Sequence, residues 1–149
     1  MKINIVKFLI PLIIIILLSA CEKKVSHEHE VIHWDRDMCD RCKMVLSERN
    51  HAAQVINKRN GKVYKFDDIG CLALWFKEES IEWKDEAKIW VTDIKTSKWI
   101  DGRTAYYDTM NVTPMAYGFG AHEKKESILK GLEIIDFEEM SKRAVKMGR

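Results

Sequence analysis

The chain is 149 residues long and carries 25 Lys+Arg against 23 Asp+Glu, with four cysteines. The two lysines of residues 1–20 make up the whole excess, leaving 23 charges of each sign on the rest. A body without net charge has no electrostatic footprint for a phosphate backbone, which excludes a nucleic-acid partner, and its length suits one domain or two very small ones.

Residues 1–20 read as an export signal. Lys2 and Lys7 lie in a short polar start, and Phe8 to Ala20 runs without a charge, too short for a membrane span of ~20 residues. The sequence Leu18-Ser19-Ala20-Cys21 resembles the lipobox of bacterial lipoproteins. Cleavage before Cys21 leaves that cysteine diacylated and the body attached to a membrane outside the cytoplasm. An ordinary signal, or an uncleaved anchor that happens to end in cysteine, is the blander account. Residues 21–37 are polar, lack a sustained period and hold His27, His29 and His33. They read as a solvated tether. Histidines so spaced can collect a metal loosely, but they are not placed in the site.

The remainder, residues 38–149, predicts an α+β fold. "HAAQVIN" and "KVYKF" alternate apolar and polar residues around "KRNG", whose Asn60-Gly61 suits a hairpin turn with φ > 0. Asp67 or Asp68 can then cap a helix through "DIGCLALWFKEE", with Ile69, Leu72, Trp75 and Phe76 on one face. Strands are expected in "AKIWVTDI", "KWID" and "TAYYDT", rich in aromatic and β-branched residues. "AHEKKESILKGL" reads as a short helix after a Gly-rich loop, "EIID" as a strand, and "FEEMSKRAVKM" as a final helix capped by Asp136. Strand, Asp cap and helix thus occur twice. This echo suggests two β-β-α-type halves, residues 38–84 and 85–149, although Asp often caps a helix after a strand without any duplication.

Sulfur is concentrated in "DMCDRCKM". Cys39 and Cys42 form a C-x-x-C, Met38 precedes it, Met44 follows, and Cys71 lies on the first expected helix. A redox dithiol needs its nucleophilic thiol at a helix N-terminus, and in thioredoxin-like proteins the motif follows a buried strand, whereas here only "VIHW" precedes it. Structural zinc wants four closed ligands, which Cys39, Cys42, Cys71 and either His51 or His122 would complete. Copper(I) accepts few soft ligands, thioethers included. In extended backbone Cys42 and Met44 point to the same side, so both sulfurs can meet one ion. A further methionine, Met115, sits in "NVTPMAYGFGAHE", where Pro114 fixes the backbone ahead and Gly118 and Gly120 loosen it behind. Ligands are often placed on such loops, and a simple turn is the alternative.

The run "CDRCKMVLSERNHAAQVINKRNGKVYKFDDIGCL", with the lipobox before it and "TPMAYGFGAH" after it, resembles the NosL family of lipoprotein copper chaperones serving nitrous oxide reductase. The resemblance implies a monomeric extracytoplasmic protein, not an enzyme, of two small β-β-α-type halves similar in fold to organomercury lyase. It implies one bound Cu(I), delivered for the reductase's catalytic copper centre, with an ABC-type membrane complex as working partner. Cys42 and Met44 match the family's cysteine-methionine pair and Met115 the methionine of its Pro-Met loop. Cys39 and Cys71 are extra thiols that would shift the ligand set toward thiolate. A tethered thiol-disulfide oxidoreductase and a zinc-stapled structural lipoprotein stand as alternatives.

Overall fold

The computed structural model describes residues 25–148. The expected export signal and Cys21, the expected site of acylation, lie outside them. Strands β1 (Ala53–Ile56) and β2 (Val63–Phe66) form the expected antiparallel hairpin, Ala53 opposite Phe66 and Ile56 opposite Val63. Gly61 takes φ 73°, the left-handed conformation that glycine adopts without steric cost. Asn57 closes the loop, its carbonyl accepting from Gly61 N at 2.7 Å.

β3 (Lys88–Thr92) pairs with the other edge of β1, and β4 (Trp99–Asp101) pairs with β3, giving the antiparallel order β2-β1-β3-β4. β1 is therefore central and buried throughout. Helix α1 (Ile69–Glu78) packs on this sheet with Asp68 as its N-cap, the carboxylate accepting from Gly70 N at 2.9 Å. Every residue from Ile69 to Phe76 is buried, wider than the expected single face, because α2 (Phe137–Met147) covers the side of α1 turned away from the sheet. α2 itself is amphipathic. Met140 and Ala144, one turn apart, are fully buried, and Asp136 caps it by accepting from Glu139 N at 2.9 Å.

β5 (Tyr106–Asp108) and β6 (Gly120–His122) make a separate two-stranded sheet. Of "EIID", Ile135 pairs with Tyr107 through two 2.9 Å backbone bonds. The fold is α+β, and hairpin followed by Asp-capped helix occurs twice, as β1-β2-α1 and β5-β6-α2. β3 and β4, however, extend the first hairpin's sheet, so a boundary at residues 84–85 would cut one sheet in two.

Two further expectations are corrected. The helix expected in "AHEKKESILKGL" is a strand end and a single 3-10 turn, Lys125–Ser127. Its only helix-like burial is Ile128, and an isolated turn with one apolar anchor has nothing to repay the cost of helix nucleation. The segment read as a solvated tether is fastened to the sheet at several points from His27 onward, although most of its side chains stay exposed. The Gln54 amide, buried in β1, exchanges two 2.8 Å bonds with the backbone of Glu30, His29 stacks on Trp99 at 5.0 Å, Trp90 Nε1 donates to the His27 carbonyl at 3.0 Å, and Ile32 is buried. A polar side chain on a central strand needs such partners, and this segment supplies them. Among the described residues no helix is long and apolar enough to cross a membrane.

Candidate metal centre

The sulfur-rich run folds as a tight turn laid against the end of β2. Met38 bridges Val45, Cys39 N donates to the Met44 carbonyl at 2.8 Å, and Lys43 N donates to the Cys39 carbonyl at 3.1 Å. Asp40 stitches the turn to β2: its N donates to the Lys65 carbonyl at 2.8 Å and its carboxylate accepts from Lys65 N at 2.7 Å. β2 ends one residue before Asp67, and Cys71 lies in the first turn of α1. The stitch thus brings Cys39 and Cys42 against Asp67 and Cys71.

The four form one cluster, with a ligand atom from each within 4.8 Å of all the others. Cys39, Cys71 and Asp67 are buried, and Cys42 is partly exposed. A metal–sulfur bond of ~2.3 Å in a tetrahedral shell spaces its sulfurs about 3.8 Å apart, so an inward movement of less than about 1 Å by each ligand atom closes the shell. The Cys42 thiol donates to both Asp67 oxygens, each at 3.5 Å.

The thiols are unequal. A hydrogen bond from Cys71 pulls Cys39 down to about 7, while the same bond and burial push Cys71 upward. Burial pushes Cys42 up to about 12. A metal here must displace protons from Cys42 and Cys71, and the N-terminal end of α1 favours the negative charge that results.

Arg41 closes one side. Its Nε and Nη2 each donate to a Glu78 oxygen at 2.8 Å, and Nη1 lies 4.0 Å from Cys71 Sγ and 3.3 Å from Tyr117 Oη. The Tyr117 ring covers the start of α1. A Cβ on Gly70 would stand 2.1 Å from that ring, so only glycine permits the approach.

Of the sequence-selected residues, Cys39, Cys42 and Cys71 come together. Met44 belongs to the same turn, but Lys43 between it and Cys42 has φ 61°, so the backbone is not extended there, contrary to expectation, and the Met44 side chain is exposed. Met115 is partly buried, in a loop held by Asp68: its N and Thr113 Oγ1 donate to Asp68 Oδ2 at 3.2 and 2.6 Å. Ala116 at φ 58° and Gly118 at φ 81° make that loop the special conformation expected. Neither histidine suggested for a zinc sphere joins the cluster. His122 lies between Asp108 Oδ2 and Ser127 Oγ, both at 3.0 Å, and the fourth potential ligand is a carboxylate. In the sequence Asp67 reads only as a helix cap and not as a candidate ligand. The signal was the doublet itself, since one aspartate suffices for the cap and the other is left to face the cysteines.

The NosL family model matches residues 31–126. In the solved structures, the copper chaperone NosL from Shewanella denitrificans is similar at a TM-score of 0.55 and 18% identity, over 76% of this chain and 96% of that one. At that identity the likeness establishes the fold. No curated protein matches.

Proposed function

This chain belongs to the NosL family, and on that premise we propose that it is an extracytoplasmic copper chaperone that carries Cu(I) as cargo on Cys39, Cys42 and Cys71, with Met44 and Met115 as further thioether ligands. The observation that carries this reading is the convergence of three thiols from two distant segments on one small, mostly buried volume. Soft thiolates favour a soft monovalent ion. Cys42 and Met44, the outward members, are where an acceptor's sulfur would attack and lift the ion away by ligand exchange. Lipid attachment at Cys21, delivery for the catalytic copper centre of nitrous oxide reductase, work beside an ABC-type membrane complex and a monomeric state all rest on the family resemblance.

Asp67 favours a second reading, a Zn(II) site, because zinc accepts three thiolates and a carboxylate in a closed tetrahedron. The thiol oxidoreductase is the weaker alternative. Cys39, the thiol with the lowered pKa, is fully buried, and an attacking thiolate must be reachable. Offering anaerobic, reduced protein Cu(I) and Zn(II) in competition separates the readings. Retention of one Cu(I) against excess zinc is the expected result, and stoichiometric zinc surviving a Cu(I) titration would assign the site to zinc.

A further inference from the structure

We propose that Arg41 is a charge-selectivity residue of the cluster, biasing it toward a monovalent ion; this rests on the metal-binding reading above. The guanidinium is a permanent cation with only 14% of its side chain exposed. Two of its nitrogens are fixed on Glu78, which aims the third at Cys71 Sγ and Tyr117 Oη. Held there, the charge acts on whatever ion Cys71 ligates. Coulomb repulsion is proportional to ionic charge, so the same guanidinium opposes a divalent ion twice as strongly as a monovalent one at the same position. It also offsets part of the negative charge that a monovalent ion leaves on three thiolates and a carboxylate. Glu78 is 47% exposed on the solvent side of the pair and weakens the field without cancelling it. Selectivity for Cu(I) over Zn(II) therefore has an electrostatic source beyond the softness of sulfur.

The test uses the full reduced chain and three variants, Arg41→Gln, Arg41→Lys and Glu78→Gln, with Cu(I) and Zn(II) affinities measured anaerobically by chelator competition and folding followed by circular dichroism. Arg41→Gln should shift the Cu(I)/Zn(II) affinity ratio toward zinc by about tenfold, and Arg41→Lys, which keeps the charge but cannot hold both Glu78 oxygens and face Cys71 at once, should shift it less. Glu78→Gln should shift the ratio the other way, toward copper, because it leaves the cation uncompensated. A clamp whose role is only to hold the fold predicts that Arg41→Gln and Glu78→Gln act alike, since each breaks the same ion pair. Equal loss for both ions in Arg41→Gln, or parallel shifts in those two variants, overturns the proposal. A parent protein that binds neither ion through its cysteines removes the copper reading and this inference together, whereas intact binding with an unmoved ratio removes only the inference.

Discussion

Cys42 Sγ lies 3.5 Å from each carboxylate oxygen of Asp67, so the most accessible thiol of the cluster donates to its carboxylate. In Asp67→Asn the hydrogen bond can survive but the charge is gone. Zinc takes carboxylate oxygen readily and Cu(I) does not. Zinc affinity should fall by about tenfold or more and Cu(I) affinity by no more than about threefold. Equal losses, read by chelator competition, would make Asp67 a copper ligand.

Binding should strengthen as pH rises. Cys42 at about 12, and Cys71 pushed up by Cys39, hold their protons at neutral pH, so an ion ligated by both must release them. Cys39 at about 7 adds a third proton only on the acid side of that value. Proton release, measured by calorimetry in buffers of different ionisation enthalpy, should fall from about three per ion near pH 6 to about two near pH 8. Release of less than one proton at both pH values would show that these thiols do not ligate.

Gly70→Ala probes the roof of the site. The new Cβ would fall 2.1–2.6 Å from three atoms of the Tyr117 ring, so ring or helix must move, at a cost of about 1–3 kcal/mol for such overpacking. Urea denaturation of the metal-free protein should register it. Unchanged stability would mean that the ring is not fixed over α1.

Much of this architecture is legible in the residues. Alternation around "KRNG" marks β1 and β2, and Asp68 and Asp136 mark the starts of both helices. The thiols of the site are likewise visible in the sequence as a C-x-x-C and a helical cysteine. What escaped depends on contacts distant in the chain. His27, His29 and Glu30 are fastened to the sheet only because Gln54, Trp90 and Trp99 present partners that arrive later in the sequence. The left-handed Lys43 has no signature either, because lysine has no preference for that conformation, and the turn that imposes it is held by Asp40 on β2.

The thioethers can be tested apart from the thiolates. Met44 is exposed, so Met44→Leu should leave the fold intact while Cu(I) affinity falls by roughly tenfold, about 1.4 kcal/mol. Cys42→Ser should cost more, because it removes a charged ligand. Met115→Leu should resemble Met44→Leu only where the loop held by Asp68 brings its sulfur to the ion. Parent affinity in both leucine variants would restrict the copper shell to the cysteines. A dithiol enzyme predicts silent methionines and equal damage from Cys39→Ser and Cys42→Ser.

The most direct test of the central claim is copper X-ray absorption on anaerobically loaded protein. The cluster of Cys39, Cys42 and Cys71 predicts one copper per chain, a monovalent edge and a shell composed of sulfur. That shell should lose a scatterer in Cys71→Ser, provided the variant remains folded and loaded. A shell of nitrogen and oxygen, or a sulfur shell unchanged by the loss of Cys71, would contradict the assignment of the ion to these thiols.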